Sequence, residues 1–238
     1  MKTILLLSLM LLSFSLFASE EKAITILKKV HEAPIGMMRI LEGHGVPLIL
    51  VHGIDPLPTQ PEWIRPIAKL IELEKNVYFY KWDKFRTLNE NQTLLVNAIK
   101  VILQEAPQVT LIGYSAGGVI SLFAHDELQD ENVELHTIAS PIFGYDAPST
   151  AVFGIPFVGS TTIEIGMGAF KKLKHFQLNG CHHWVNTSCE LDKHACVNKK
   201  NFSAQSRLFA MPCGSENTRY FSEETHESIL NKVFESIL

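Results

Sequence analysis

The chain has 238 residues, of which 46% are hydrophobic and 19% charged, and its formal net charge is −4. This length and apolar content allow one large domain with a sizeable core and exclude an intrinsically disordered chain. The weak negative charge gives no electrostatic basis for binding nucleic acid, so we expect no nucleic-acid partner.

The N-terminus has the pattern of a secretory signal peptide. A positively charged start precedes the nearly unbroken apolar run Ile4–Phe17, and the sequence turns polar after Ala18. The run is shorter than the roughly 20 residues of a comfortable transmembrane helix, and Ala18 offers a small residue for cleavage. We therefore expect residues 1–18 to be a leader, residues 19–238 to form the mature domain, and the protein to be exported, to the periplasm or beyond. Because Leu16 is not small, an uncleaved anchor stays open.

Strands and helices then alternate along the chain. Residues 22–32 read as a peripheral helix or a helix-to-strand lead-in, and the apolar run Pro47–Val51 predicts a central strand covered on both faces. Further strands are predicted at 76–82, 109–112, 133–140, 174–178 and, as the final one, 207–211; helices are predicted at 62–74, 93–103, 119–125 and 225–238. This alternation indicates an α/β fold with a mostly parallel sheet and helices on both faces.

An irregular apolar segment interrupts the alternation. Residues 144–168 are rich in Gly, Pro and Thr, and their only charged residues are Asp146 and Glu164. We interpret about 144–170 as a lid-like insertion over a hydrophobic site, with a buried excursion of the core as the alternative.

A nucleophile-elbow motif lies between a predicted strand and a predicted helix. The spacing Gly113-x-Ser115-x-Gly117 places one serine in a sharp strand-to-helix turn, with glycines where a Cβ would collide. Such a turn exposes the serine Oγ above the sheet edge. Ser115 is the candidate nucleophile.

A serine nucleophile needs a base and a group that orients the base. We assign the base to His226, between the last predicted strand and the last helix, because the chain order of this architecture is serine, acid, histidine. The acid is assigned to Asp192. Competing acids are Glu190, Asp146, Asp83 and Glu223.

The oxyanion of an acyl-transfer intermediate needs two N–H donors held in place beforehand. One candidate is the backbone N–H of Ala116, directly after the nucleophile. The other is the N–H of Ile54, in the loop that follows the strand ending at Val51.

Four cysteines crowd the last quarter of the chain, and export favours disulfides between them. We prefer the pairs Cys189–Cys196, which would close a small loop around Asp192, and Cys181–Cys213, although the sequence does not choose among the three possible pairings. A metal site remains the rival interpretation, since His182, His183 and His194 lie among these cysteines.

Four segments together resemble the lipase and esterase branch of the α/β-hydrolase superfamily: His52-Gly53, Gly113–Gly118, Ile138–Pro141 and Thr225–Ser228. The resemblance covers about residues 40–238 and implies an eight-stranded, mostly parallel sheet and hydrolysis of an ester through an acyl-enzyme. An aspartate bracketed by close cysteines is also similar to the arrangement in cutinases. Residues 180–205 depart from any pattern of the superfamily.

These observations predict an exported serine hydrolase, a carboxylesterase or lipase, with Ser115, His226 and Asp192 as its triad and no cofactor or metal. The expected partner is a small-molecule ester or lipid, with a transient contact to a lipid surface possible. The same residues fit a thioesterase or acyltransferase. A non-catalytic ligand-binding protein on a hydrolase scaffold, or a structural protein with a metal-binding Cys/His segment, is the alternative outside enzymology.

Overall fold

One sheet runs through the part of the chain that the computed structural model describes, which comprises residues 2–54, 61–142, 160–166, 182–187, 218–221 and 228–237. Its strands are β1 (Gly36–Leu41), β2 (His44–Val51), β3 (Lys75–Lys81), β4 (Val109–Tyr114), β5 (Val133–Ile138), β6 (His182–Thr187) and β7 (Thr218–Phe221). The order across this seven-stranded sheet is β1-β3-β2-β4-β5-β6-β7. Strand β1 is antiparallel to β3, and all the other pairings are parallel, so the predicted mostly parallel sheet is confirmed.

Helices cover both faces of the sheet. They are α1 (Lys2–Glu32), α2 (Ile64–Glu72), α3 (Leu88–Ile102), α4 (Ala116–Leu128), α5 (Ser160–Gly166) and α6 (Ser228–Ile237), and a short 3-10 turn, Pro61–Trp63, leads into α2. On one face, α3 and α4 pack with Ile49 and Leu111. On the other, α1, α2 and α6 pack with Leu50 and Phe79. Because both faces are covered, the central strands are continuous apolar runs.

Several boundaries differ from the sequence-based expectations. Helix α3 begins at Leu88 rather than at residue 93, because Thr87 caps it: the Thr87 side chain accepts from the Glu90 N–H, and the Glu90 carboxylate accepts from the Thr87 N–H. Strands β1, β6 and β7 were not predicted. The predicted strands at 174–178 and 207–211 lie outside the described residues, and since β7 comes later, 207–211 is not the last strand of the chain.

Helix α1 runs without interruption through the predicted leader and the segment 22–32, which is therefore helical. Its second half packs on the domain, where Ala23, Leu27 and Val30 are buried. Over the described residues, no helix has both the length and the apolar character required to cross a membrane. Cleavage after Ala18 stays a prediction.

Part of the predicted lid forms helix α5. Its Thr161 is fully buried; the hydroxyl donates to the Arg86 carbonyl at 2.6 Å and accepts from the Asn91 side-chain amide at 2.9 Å. The carboxylate of Glu164 accepts from the N–H of Leu88 at 3.1 Å. Residues 160–166 thus pack against the start of α3. The rest of the predicted lid lies outside the described residues, so the lid interpretation stays a prediction.

Candidate active site

Strand β4 carries Ser115 to the carboxyl edge of the sheet. All six residues of β4 are buried, and α4 begins at Ala116, directly after the serine. Between the two elements Ser115 has φ 54° and ψ −127°, a conformation that L-residues rarely adopt. Its N–H donates to the carbonyl of Ile138 at 2.9 Å, and its carbonyl accepts from the N–H of Gly118 at 3.0 Å. This is the strained turn that the motif predicts.

The glycines around Ser115 are required by close backbone contacts. A Cβ on Gly113 would lie 2.5 Å from the Cα of Gly118, and a Cβ on Gly117 would lie 2.2 Å from the carbonyl oxygen of His52. Either contact is far shorter than van der Waals distance. The elbow therefore packs directly on the loop that leaves β2.

That loop brings the second predicted oxyanion donor toward the nucleophile. A Cβ built on Gly53 would lie 3.0 Å from the Cβ of Ser115, so the backbone just before Ile54 touches the serine residue. Ile54 is partly buried against the core, and Ala116 is fully buried at the N-terminus of α4. Of the five predicted site residues the structure describes Ser115, Ala116 and Ile54: Ala116 follows Ser115 in the chain, and Ile54 follows the Gly53 backbone that lies against Ser115.

A set of contacts around His52 was missed by the sequence reasoning, which gave the His52 side chain no role of its own. The imidazole Nδ1 lies 2.6 Å from the carbonyl oxygen of Gly53, and Nε2 accepts from the backbone N–H of Trp82 at 3.3 Å. The indole N–H of Trp82 donates to the His52 carbonyl at 2.8 Å. The signal available in the sequence was a tryptophan directly after the neighbouring strand β3.

The predicted base and acid, His226 and Asp192, lie outside the described residues, as do all four cysteines and the competing acids Glu190, Asp146 and Glu223. The strands that precede the base and the acid are described: Asp192 follows β6 and His226 follows β7. Both strands run parallel to β4, so their carboxyl ends lie at the same edge as Ser115. Both assignments stay predictions.

The competitor Asp83 is described, and its carboxylate serves the loop before α3. One oxygen accepts from the N–H of Phe85 at 2.9 Å, and the other lies 3.7 Å from the guanidinium of Arg86. These contacts explain Asp83 as a turn residue that stabilises the start of α3.

His125 is a buried histidine with a structural role. Burial lowers the pKa of His125, because desolvation disfavours the imidazolium, and its Nε2–H donates to the carbonyl of Val133 at 3.0 Å. Val133 begins β5 and so lies at the edge of the sheet opposite to Ser115. His125 is therefore a neutral core residue remote from the nucleophile.

The metal hypothesis concerns residues of which little is described. Among the side chains that the structure describes, no group of three or more histidine, cysteine or carboxylate residues is arranged to hold a metal ion. The four cysteines and His194 lie outside that part, and His182 and His183 are described only as members of β6.

No known protein-family profile and no curated protein matches the sequence, whereas many solved structures match the fold. A metagenome-derived lipolytic enzyme of the LipS and LipT pair has a TM-score of 0.62 and 12% identity, covering 85% of this chain and 95% of that chain. The monoacylglycerol lipase of Paleococcus ferrophilus has a TM-score of 0.59 and 12% identity, covering 86% and 98%. The Bacillus licheniformis lipase BlEst2 has a TM-score of 0.56 and 15% identity, covering 86% and 97%.

Similarity at such low identity establishes the fold. A metagenomic protein described as an α/β-hydrolase enzyme also matches, with a TM-score of 0.52 and 16% identity over 84% of this chain and 90% of that chain. The chain has the α/β-hydrolase fold that its motifs resemble.

Proposed function

We propose that this protein is an exported serine hydrolase that cleaves carboxylic esters through an acyl-enzyme on Ser115. The observation that carries the proposal is the conformation of Ser115, at φ 54° between a buried strand and a helix, with the Gly53 backbone against it. Strained residues held by a well-packed surrounding are typical of active sites.

In the proposed mechanism the Ser115 hydroxyl attacks the ester carbonyl while His226 accepts the hydroxyl proton. The tetrahedral oxyanion receives hydrogen bonds from the N–H groups of Ile54 and Ala116. When the intermediate collapses, His226 returns the proton to the departing alcohol, and the acyl group remains on the serine. A water molecule then attacks the acyl carbon while the same histidine takes its proton. The bond to the Ser115 oxygen breaks, the histidine returns the proton to that oxygen, and the carboxylic acid leaves. Asp192 orients the imidazole and stabilises its charged form.

The topology supports the two undescribed members of the triad. Strand β6 is two positions from β4 in the sheet and β7 is three, which corresponds to roughly 10 and 14 Å at about 4.8 Å per strand. Asp192 and His226 each lie five residues beyond the end of their strand, and five extended residues reach up to about 17 Å. The connections are therefore long enough for both side chains to meet Ser115.

An apolar acyl group is the proposed substrate class, since the segment 144–168 is nearly free of charged residues. Release of p-nitrophenol from esters of increasing acyl length, measured on the mature protein, tests the activity and the chain-length preference together. We expect turnover of wild-type protein and labelling of Ser115 by a fluorophosphonate probe.

Variants of the triad test the residue roles. Ser115→Ala should abolish labelling and turnover, and His226→Ala and Asp192→Asn should each lower kcat by at least about 10³-fold, because the three groups act as a unit. Glu190→Gln, which removes a neighbouring carboxylate, is the matched control and should remain active. Equal losses of kcat in Asp192→Asn and Glu190→Gln would refute the assignment of the acid.

Other outcomes would change the functional class. Absence of both turnover and labelling in wild type would favour a binding protein. Efficient acyl transfer to an added alcohol or cleavage of thioesters would mark the protein as an acyltransferase or thioesterase.

Export and disulfides are part of the same proposal. Expression with residues 1–18 present, followed by fractionation and N-terminal sequencing, should recover protein that begins at Ser19 outside the cytoplasm. Electrophoresis with and without reductant should show intramolecular disulfides. Recovery of full-length protein in the membrane fraction would instead support an uncleaved anchor.

A further inference from the structure

We propose that His52 and Trp82 form a clamp that sets the direction of the Ile54 N–H, so that both are positioning residues for the oxyanion hole. The inference rests on the proposed function, since Ile54 matters only if an oxyanion forms beside Ser115. The clamp consists of the hydrogen bonds that join the two side chains to the backbone of residues 52–54.

The imidazole of His52 has a defined tautomer. Its Nε2 accepts from the N–H of Trp82, so Nε2 carries no proton and the neutral ring is protonated on Nδ1. The Nδ1–H therefore donates to the carbonyl of Gly53, at 2.6 Å. Protein groups thus engage both ring nitrogens in a site where His52 is 5% exposed.

The carbonyl of Gly53 and the N–H of Ile54 belong to the same peptide unit. Because that unit is planar and trans, its N–H points opposite to its C=O, and a hydrogen bond that fixes the oxygen also fixes the N–H direction. The bond from the imidazole thus orients the predicted oxyanion donor without touching the substrate.

Trp82 holds the preceding peptide unit. Its indole N–H donates to the His52 carbonyl at 2.8 Å, and its ring stacks on the imidazole with the centroids 5.3 Å apart and the planes 18° from parallel. Phe79 also stacks nearly parallel to the imidazole, at 6.0 Å. Two successive peptide units of the loop are therefore tied to side chains that are almost fully buried.

This arrangement matters because an oxyanion donor accelerates the reaction only when its direction is set before the reaction begins. Without the hydrogen bond from His52, the peptide unit that follows Gly53 could rotate easily, because glycine has few backbone restrictions. The clamp compensates for the flexibility of a glycine at a tightly packed position, where an added Cβ would lie 3.0 Å from the Cβ of Ser115.

Two conservative variants test the clamp. His52→Phe keeps an aromatic ring in the stack but loses the donor to Gly53, and Trp82→Phe keeps the ring but loses the donor to His52. We expect each to lower kcat by about 10- to 100-fold, less than complete removal of a donor, with KM within about threefold of wild type. His52→Asn, whose amide nitrogen can replace Nδ1, should recover part of the loss. Tyr80→Phe is the control. It removes the buried hydrogen bond from the Tyr80 hydroxyl, in β3, to the Asn91 carbonyl and should keep the wild-type kcat.

Inhibition by an ester-mimicking trifluoromethyl ketone shows whether His52 and Trp82 position the oxyanion donor or only stabilise the fold. The ketone forms a tetrahedral adduct with a negatively charged oxygen, so its Ki should rise in proportion to the loss of kcat/KM in the clamp variants. A folded His52→Phe or Trp82→Phe with wild-type kcat and Ki would overturn the inference. If His52→Phe does not fold, Trp82→Phe carries the test.

A readout independent of catalysis distinguishes failure of the clamp from failure of the proposed function. In ¹⁵N-labelled wild type, the His52 ring should show a protonated Nδ1 and an unprotonated Nε2, and residual dipolar couplings should show a reoriented Ile54 N–H in the clamp variants. An unchanged Ile54 N–H direction refutes the clamp even in an active enzyme. A reoriented N–H in a protein without turnover or Ser115 labelling supports the clamp and refutes the hydrolase.

Discussion

Ser115 stores strain that its surroundings maintain. A non-glycine residue in this region of φ and ψ costs of order 1–3 kcal/mol, and it persists only where packing leaves no alternative. Here the buried strand β4 and the helix α4 leave no room to relax, and the serine backbone is bonded on both sides. The strain accompanies the placement of Ser115 at the carboxyl edge of the sheet, where the residue is 8% exposed.

The strain predicts that two variants of Ser115 differ in stability. Ser115→Gly should unfold at a higher urea concentration than Ser115→Ala, by about 1 kcal/mol in the free energy of unfolding, because glycine adopts positive φ without a steric penalty. Urea denaturation of both proteins, followed by fluorescence, measures the difference. Equal stability of the two would show that the elbow is not strained.

The glycines of the elbow differ in what surrounds them. For Gly118, the stability lost on substitution by alanine should be recoverable by a second substitution. A Cβ on Gly118 would meet the Ser140 side chain, 1.8 Å from its Oγ and 2.7 Å from its Cβ. We predict that Gly118→Ala destabilises the fold strongly and that adding Ser140→Gly restores a large part of the loss, since those two atoms are then gone. Thermal unfolding of the two single variants and the double variant gives the coupling.

Gly117 supplies the control for this cycle. The three atoms nearest to its Cβ would all be backbone atoms, including the carbonyl oxygens of His52 at 2.2 Å and Val51 at 2.4 Å. Ser140→Gly should therefore not rescue Gly117→Ala. Rescue of both alanine variants to the same extent would argue for a general relaxation of the elbow rather than relief of a specific contact.

At the scale of elements, the start of α3 shows how a local signal can be overlooked. Thr87 and Glu90 form a reciprocal capping box, with the Thr87 hydroxyl accepting from the Glu90 N–H at 3.2 Å. The polar sequence of the first turn hid this helix start, because Leu88 is the only apolar residue among residues 88–92. The cap begins the helix five residues before its clear apolar stripe.

Removal of the cap should lower the free energy of unfolding. The fall of that free energy at acid pH should depend on Glu90. Thr87→Ala should cost about 1 kcal/mol at neutral pH, as typical for an N-cap. The backbone and hydroxyl of Thr87, donating to the carboxylate, lower the pKa of Glu90. Since the folded pKa is below the unfolded one, this stabilisation is complete above the ordinary glutamate range and is lost as the pH falls through the folded value.

Glu90→Gln should therefore flatten the fall in stability on acidification while lowering stability near neutral pH. Urea unfolding of wild type and Glu90→Gln, measured from pH 7 down to pH values below the ordinary glutamate range, provides the comparison. Glu105→Gln, which removes an exposed carboxylate outside the capping box, is the control. A Glu90→Gln profile parallel to that of the control would contradict the role of the capping box.

At the scale of the whole molecule, α1 joins the predicted leader to the core. Ala23, Leu27 and Val30 are buried in the same cluster as Phe79 and Trp63. The ammonium group of Lys81 donates to the carbonyl of Ala33 at 2.7 Å, just beyond the end of the helix. The second half of α1 is therefore part of the folded domain.

Truncation distinguishes the two halves of α1. Deleting residues 2–18 should leave the midpoint of urea unfolding nearly unchanged. Deleting residues 2–33 should lower the free energy of unfolding by at least about 3 kcal/mol, since Leu27 and Val30 each contribute about 1.5–3 kcal/mol by burial. Equal stability of the two truncated proteins would show that α1 is dispensable.

The sequence by itself determined the elements whose cause is local. The apolar run before His52, the run before Ser115 and the glycines of the elbow predicted β2, β4 and the start of α4, because burial on both faces and sharp turns leave direct marks on composition. The edge strands β1 and β7 left weaker marks: a strand at the edge of a sheet has one neighbour and is short or partly polar. The assignments of His226 and Asp192 rest on chain order, on the strands that precede them and, for Asp192, on the cysteines that flank it, and they stay predictions.

Only the tertiary structure decided which distant residues meet. Strands β2 and β4 pair in parallel with Val51 opposite Gly113, and this register brings the Gly53 backbone against Ser115. The neighbouring pairing of Val51 with Tyr80 places Trp82 beside His52. No local pattern specifies such contacts, because they depend on the order and register of strands that lie far apart in the chain. The candidate nucleophile could therefore be found in the sequence, whereas the proposed clamp beside it depends on the folded sheet.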